Sequence, residues 1–138
     1  MAFVLDNSVS MAWCFEDEGT AYTDRVLDHL DETYAIVPAL WLLEASNALL
    51  TATKRGRISA PKARALLDGL LDLPIRLGTA MAVRDTARVL ALAQDCQLSS
   101  YDAAYVDMAM RSGLALATQD QAMARAARHL GLAVFGES

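Results

Sequence analysis

The sequence has few of the residues that build disulfide-linked or zinc-bound domains. Its 138 residues include only two cysteines and three prolines. Cys14 and Cys96 form no Cys-x-x-Cys pair, and neither has a histidine at zinc-ligand spacing. The pattern disfavours both a disulfide framework and a structural zinc site. We expect two small buried thiols in a reducing compartment.

Long apolar runs are also missing. The longest, at about residues 35–43, contains Pro38, whereas a membrane-spanning helix needs roughly 20 apolar residues. Neither a basic segment nor a long apolar run precedes Asp6, so no secretory signal is predicted. We therefore expect a cytoplasmic protein with no membrane partner.

Positive charge is scarce as well. Twelve Lys and Arg residues stand against 17 Asp and Glu, for a net charge of −5, so bulk charge does not indicate a basic nucleic-acid-binding module. A metal-dependent enzyme acting on nucleic acid stays open, because carboxylates that bind metal make the count negative. The apolar content of 54 % excludes intrinsic disorder. Length and the lack of a linker predict one domain, residues 1–138.

Short apolar runs alternate with longer helical patterns. The predicted strands are residues 2–5, 35–37, 75–77, 114–117 and 133–135. The predicted helices are residues 20–32, 39–55, 59–73, 79–95, 99–111 and 121–130. This alternation predicts an α/β fold with a central, mostly parallel sheet covered on both faces. In such sheets, function concentrates beyond the carboxyl ends of the strands.

Two acidic residues follow predicted strands. Asp6 comes directly after residues 3–5, and Asp120 comes shortly after residues 114–117. Because the carboxyl ends of parallel strands meet at one edge of the sheet, we expect both carboxylates there. In the alternative interpretation each residue caps the helix that follows it, which for Asp6 would start near Ser8.

Two more acidic residues lie on helix faces that the pattern turns inward. Glu44 flanks the apolar stripe of its helix, and Asp102 shares a face with apolar residues. A lone carboxylate in such a place is costly to desolvate unless it is paired or metal-bound. The alternatives are an ion pair of Glu44 with Arg84 or Arg88, and a capping box formed by Ser99 and Asp102.

Four such carboxylates together are hard to attribute to capping alone. Mg²⁺ prefers oxygen ligands and is often held by one or two carboxylates, waters and substrate phosphates. Without a cation, converging carboxylates repel one another and their pKa values rise. The set therefore predicts a hard cation such as Mg²⁺ and a substrate that carries phosphate. Asp107, nearly opposite Asp102 on its helix, is expected at the solvated surface.

Four segments, in order along the chain, carry a resemblance to a known family. They are Phe3-Val-Leu-Asp-Asn-Ser8, Pro38-Ala-Leu-Trp-Leu-Leu-Glu-Ala-Ser-Asn-Ala-Leu49, Ser100-Tyr-Asp-Ala-Ala-Tyr105 and Leu116-Ala-Thr-Gln-Asp120. With these segments the chain resembles the PIN-domain family, and specifically the VapC-type toxins of bacterial type II toxin–antitoxin pairs. The resemblance implies a three-layer α/β/α fold and a metal-dependent endoribonuclease that cleaves RNA phosphodiester bonds.

The resemblance also implies roles for particular residues. The acidic active site would be formed by Asp6, Glu44, Asp102 and Asp120. Asp6 and Asp102 would be direct Mg²⁺ or Mn²⁺ ligands, Asp120 would complete the pocket directly or through water, and Glu44 would hold or polarise water at the metal. Ser8 and Thr118 match positions that support the site by hydrogen bonding.

A cognate VapB-type antitoxin and a homodimer are implied in the same way. Leu40, Leu43 and Leu50 lie away from the main apolar stripe of their helix, so this face is either deeply buried or shared with a partner.

The basic residues fall into two groups, for which RNA phosphate contact and a solvated helix end are both open. They are Lys54, Arg55 and Arg57 in one group, and Arg125 and Arg128 in the other.

A non-catalytic PIN-like module that binds RNA or protein is the main alternative function. Loss of one acidic residue would favour it, and none of the four is missing. Two other enzyme classes fit poorly. A haloacid-dehalogenase-type phosphatase needs an aspartate where Ser8 stands, and a phospho-receiver domain needs a lysine near a late strand end, whereas the lysines here are Lys54 and Lys62.

Overall fold

Four parallel strands form the centre of the fold in the computed structural model, which describes residues 1–137. They are β1 (Phe3–Leu5), β2 (Ala35–Val37), β3 (Ile75–Leu77) and β4 (Ala115–Ala117). Their order in the sheet is β3-β2-β1-β4, and all neighbours are parallel. The β1 residues are fully buried, as the continuous apolar run of a central parallel strand requires. The carboxyl ends of all four strands therefore meet at one edge.

Helices connect the strands. They are α1 (Asn7–Cys14), α2 (Ala21–His29), α3 (Ala39–Lys54), α4 (Ala60–Leu71), α5 (Asp85–Cys96), α6 (Ser100–Ser112) and α7 (Gln121–His129). Along the chain, β2 pairs beside β1 and β3 pairs beside β2, whereas β4 returns to pair with β1 on its other side. Helix α1 packs against α2 and α3, and α3 packs against α4, whereas α5 packs against α6, which contacts β1 and β4. Right-handed crossovers, the rule for parallel strands, place these two groups of helices on opposite faces of the sheet. The predicted α/β class with a central parallel sheet is confirmed.

The largest differences from the predicted elements are at α1, at the start of α5 and at the last strand. Helix α1 was not among the predicted helices. A helix at this place was considered only in the alternative interpretation of Asp6 as a helix cap. A polar residue, Ser10, lies on the buried side of α1 and interrupts the apolar pattern that would predict a helix. Its buried hydroxyl accepts the indole N–H of Trp41 at 2.9 Å. Helix α5 starts at Asp85, whose carboxylate accepts the Ala82 N–H at 2.7 Å in the preceding turn. The predicted last strand supplies a single bridge between Leu116 and Val134.

Two sequence-based expectations about apolar segments can be compared with the structure. Cys14 and Cys96 are free thiols, but they are half-buried rather than buried. Among residues 1–137, no helix combines the length and the apolar composition that crossing a membrane requires.

The prediction that Asp107 lies at the surface is wrong. Its side chain is 1 % exposed and forms a bidentate pair with Arg88, at 2.7 and 3.2 Å. Arg111 donates to it at 2.9 Å and also donates to the Thr79 carbonyl at 3.0 Å. Burial raises the pKa of Asp107, but the two guanidinium groups outweigh it and hold the pKa below its ordinary value. Helix α6 is thus buried on two sides, one against the sheet and one against α5.

This network predicts the effect of removing the Asp107 carboxylate. Asp107→Ala should lower the free energy of unfolding at pH 7 by about 2 kcal/mol, less than for a fully buried ion pair because the released arginines return to water. Since the folded-state pKa is depressed, the contribution is present above the ordinary pKa of 3.8 and is lost as the pH falls.

Urea unfolding of the wild type and the variant at pH 7 and pH 3 measures this loss. Asp17→Ala is the control, because Asp17 also pairs with an arginine, Arg57, but at an exposed site. The control should change stability by less than about 1 kcal/mol. Equal effects of the two substitutions would contradict the role given to Asp107.

Candidate active site

Asp6 lies where β1 ends, at the carboxyl edge of the sheet. Its side chain is 5 % exposed, and its Oδ2 accepts the Ser8 hydroxyl at 2.6 Å and the Thr118 hydroxyl at 2.8 Å. Although Asp6 occupies the N-cap position of α1, its side chain accepts no capping hydrogen bond there. The capping explanation is therefore wrong for this carboxylate.

Ser8 and Thr118 join the ends of β1 and β4. The Thr118 hydroxyl accepts the Asp120 N–H at 3.0 Å, and the Ser8 hydroxyl accepts the Gln119 N–H at 3.1 Å. In the sheet, β2 and β3 lie on one side of β1 and β4 lies on the other, so the order of strand addition reverses between β1 and β4. Such a topological switch point is where open parallel sheets bind ligands.

Glu44 comes from α3, which starts directly after β2. Its side chain is half-buried, and Oε1 accepts the hydroxyl of Tyr105 at 2.6 Å. The alternative ion pairs of Glu44 are wrong, since Arg88 pairs with Asp107 and Asp85, and Arg84 forms no ion pair within residues 1–137.

Asp102 and Asp120 each lie at the start of a helix. The Ser99 hydroxyl caps α6 by accepting the Asp102 N–H at 3.0 Å, but this leaves the Asp102 carboxylate outside the cap. Asp120 does cap α7, because its Oδ1 accepts the Met123 N–H at 3.0 Å. The capping alternative is therefore correct for one oxygen of Asp120.

Burial and the charges of neighbouring carboxylates raise the pKa values of Asp6, Glu44 and Asp102. Burial raises the pKa of Asp6 from 3.8 to about 6, against hydrogen bonds from Ser8 and Thr118 that lower it, and the charges of Asp102 and Glu44 raise it further. Burial also raises the pKa of Glu44, with a contribution from Asp102. Burial and then the charge of Asp120 raise the pKa of Asp102. The fold thus brings the four predicted acidic residues into one region.

The donor set has the chemistry of a site for a hard cation. Within residues 1–137, no three acidic, histidine or cysteine side chains form a ready-made cage for an ion. Mg²⁺ does not need such a cage, because it is commonly held by one or two carboxylates and completes its shell with water and phosphate. The carboxylates fit that mode of binding, since none of the four forms an ion pair within the described part of the chain.

Two of the five basic residues proposed to bind RNA have partners of their own. Arg57 pairs with Asp17 and Glu18 and lies over the Phe15 ring at 4.4 Å. Arg128 pairs with Glu137, Nε to Oε2 at 3.1 Å. The other three are exposed and form no ion pair within residues 1–137: Lys54, Arg55 and Arg125.

Two tyrosines at the site had no predicted role. The Tyr105 hydroxyl binds Glu44, and the Tyr22 hydroxyl accepts the Thr118 N–H at 3.3 Å. Tyr105 lies one helical turn after Asp102 on the same inward face, so its spacing was a usable signal. Tyr22 is 96 residues from Thr118, and no local pattern indicates that contact.

The raised pKa of Asp6 predicts how stability depends on pH without divalent cations. Between about pH 4 and pH 6 the folded state binds more protons than the unfolded state, so its stability falls as the pH rises. A rise in pKa from 3.8 to about 6 corresponds to about 3 kcal/mol at neutral pH. Asp6→Asn should therefore reduce this dependence and stabilise the protein at pH 7.

Urea unfolding in EDTA at pH 4.5 and pH 7 tests this, with exposed Asp31→Asn as the control. The raised pKa would be contradicted if, from pH 4.5 to pH 7, the free energy of unfolding of the wild type rose relative to that of Asp6→Asn.

Comparisons with known proteins agree with this architecture. A search of curated proteins finds no match. The structure is similar to PAE2754 from Pyrobaculum aerophilum, with a TM-score of 0.65 and 22 % identity over 91 % of this chain and 84 % of that chain. It is also similar to VapBC2 from Rickettsia felis, bound to a DNA fragment from their promoter, with a TM-score of 0.69 and 12 % identity over 97 % of each chain. Residues 3–129 match the family model of the PIN domain, so the chain belongs to the PIN-domain family.

Proposed function

We propose that this protein is a metal-dependent endoribonuclease and the toxin of a VapC-type toxin–antitoxin pair. The observation that carries the proposal is the cluster of four carboxylates at the switch point of a PIN-domain sheet. The raised pKa values of Asp6, Glu44 and Asp102, and the lack of an ion pair at any of the four carboxylates within residues 1–137, indicate a region that gains stability from a cation. Mg²⁺ is the proposed ion, with Mn²⁺ as the alternative.

Each residue has a proposed task. Asp6 and Asp102 would be the direct ligands, Asp120 would complete the pocket directly or through water with the oxygen that does not cap α7, and Glu44 would hold or polarise water at the metal. Ser8 and Thr118 fix one oxygen of Asp6 by hydrogen bonds. When bound, the divalent ion supplies charge stabilisation at the phosphodiester and lowers the pKa of water.

Exposed positive charge supports RNA binding at two places. Lys54 and Arg55 end α3, the helix that carries Glu44, and Arg125 lies on α7, the helix that Asp120 caps. We propose that these three residues contact RNA phosphates. Arg57 and Arg128 must first leave their acidic partners to do so.

The non-catalytic PIN-like module is the competing function. A binding module without a metal would gain nothing from the free-energy cost of burying unpaired carboxylates. Asp107 shows that this fold can neutralise a buried carboxylate with arginines, and it does not do so at the cluster.

Asp6→Asn and Asp102→Asn should each reduce Mg²⁺-dependent cleavage of RNA at least ~100-fold, which corresponds to about 3 kcal/mol of transition-state stabilisation. The physical reason is the loss of a charged ligand. Cleavage ends are mapped on total RNA and on a synthetic RNA, with circular dichroism to confirm folding.

The exposed control Asp31→Asn should cleave like the wild type. Unchanged cleavage by purified, folded Asp102→Asn would contradict the assignment. A wild type that binds RNA but does not cleave it with either metal would favour the binding module.

A VapB-type antitoxin is the proposed partner. On α3, Leu43 is 74 % exposed and Leu50 48 % exposed, so the chain itself does not bury these two residues of the second apolar face. Leu40, the third residue of that face, is half-buried and packs against the core. A cavity of about 200 Å³ lies beside this face between α3 and α4, lined by Leu49, Leu50, Ala63 and Leu67 among others. Apolar surface of this kind marks a protein-interaction site. A homodimer and a cytoplasmic location stay predictions.

Leu43→Asp should weaken the complex with the product of an adjacent small gene at least ~10-fold, because a charge is placed in an apolar contact. Co-expression, gel filtration and calorimetry measure the effect. Val83→Asp is the matched control, since Val83 is 92 % exposed and lies before α5, outside the α3–α4 surface. Equal affinity of the two variants would place the antitoxin elsewhere.

A further inference from the structure

One buried side chain at the acidic cluster has no part in the ligand set proposed above. Tyr105 is fully buried, and its hydroxyl donates to Glu44 Oε1 at 2.6 Å. The contact joins α6, which carries Asp102, to α3, which carries Glu44. It is a contact between residues 61 positions apart in the chain, so it exists only in the folded molecule.

Because its ring is buried, Tyr105 holds its hydroxyl in a fixed position. A tyrosine packed on all sides cannot change rotamer freely, so its hydroxyl occupies one place. Glu44 is a long, flexible side chain that loses rotamer freedom when it is held in one place. Tyr105 is the side-chain donor that the structure gives to Glu44 within residues 1–137. The order of the carboxylate therefore depends on this hydroxyl.

The same arrangement recurs at the neighbouring carboxylates. Asp6 uses Oδ2 for both of its hydroxyl donors, and Asp120 uses Oδ1 to cap α7. Glu44 uses Oε1. In each case the second oxygen accepts no hydrogen bond from residues 1–137, so one oxygen is anchored and the other is available to a ligand.

We propose that Tyr105 is a positioning residue, whose hydroxyl anchors Glu44 so that its second oxygen is held ready for the divalent ion or its water. The inference rests on the proposed metal-dependent function. Tyr105 itself touches neither substrate nor ion and acts through Glu44. Partners that orient a ligating side chain from behind in this way are typically worth 10- to 100-fold in metal affinity or activity.

Tyr105→Phe is the direct test, because it keeps the ring and removes only the hydroxyl. Titration with Mn²⁺ alone, followed by calorimetry, should show an affinity about 10-fold lower than the wild type. The kcat for RNA cleavage should fall about 10- to 100-fold while KM for RNA stays close to the wild type. Tyr101→Phe on the same helix is the matched control, since that ring is 64 % exposed, and it should change neither quantity.

A double-mutant cycle separates positioning from a general packing effect. In the Glu44→Gln background, Tyr105→Phe should cause no further loss of Mn²⁺ affinity. An equal loss in both backgrounds, or unchanged affinity and kcat in Tyr105→Phe alone, overturns the inference. If Tyr105→Phe is too unstable for calorimetry, the Mn²⁺-induced rise in Tm decides by the same criteria.

The two proposals can fail separately. A wild type that neither binds Mn²⁺ nor cleaves RNA removes the proposed function. A wild type that does both, beside an unaffected Tyr105→Phe, removes only the positioning role of Tyr105.

Discussion

The candidate site depends on a group of carboxylates that hydroxyl groups hold in place without neutralising their charge. Asp6 is 5 % exposed and is bound by two hydroxyls, and Glu44 is bound by a third. Hydroxyls fix the position of an oxygen without cancelling its charge, so burial and mutual repulsion keep the pKa values raised. Asp107 is equally buried but pairs with two arginines, and its pKa is lowered. The same chain therefore treats two buried aspartates in opposite ways.

The sheet order explains why the cluster forms where it does. Between β1 and β4 the connections diverge to opposite faces, which leaves a gap at the carboxyl edge. Ser8 and Thr118 tie the two strand ends across this gap by sharing Oδ2 of Asp6. Helices α3 and α6 start at or near the same edge and add Glu44 and Asp102. Four segments that are distant in sequence thus supply one small site.

The candidate site was more predictable than the packing around it. Asp6 and Asp120 were indicated by their places after apolar runs, and helical periodicity indicated Asp102. Asp107 was misplaced because a helical wheel assigns one buried face, whereas α6 is buried against both the sheet and α5. Its partner Arg88 is 19 residues away, so no local pattern could show the pair. Helix α1 was obscured for a related reason, since a serine lies on its buried side.

The distribution of positive charge in the chain also favours a bound cation at the acidic cluster. The chain carries a net charge of −5, and two of its candidate RNA-binding arginines already neutralise acidic neighbours, Arg57 with Asp17 and Arg128 with Glu137. A phosphodiester that approaches the cluster would meet negative charge, and within residues 1–137 no guanidinium or ammonium group pairs with these carboxylates. If the protein has the proposed function, a divalent ion at the cluster reduces the repulsion among the carboxylates. The same ion also reduces the repulsion between the protein and the RNA phosphates. Metal binding and substrate binding would then be coupled through the same charges.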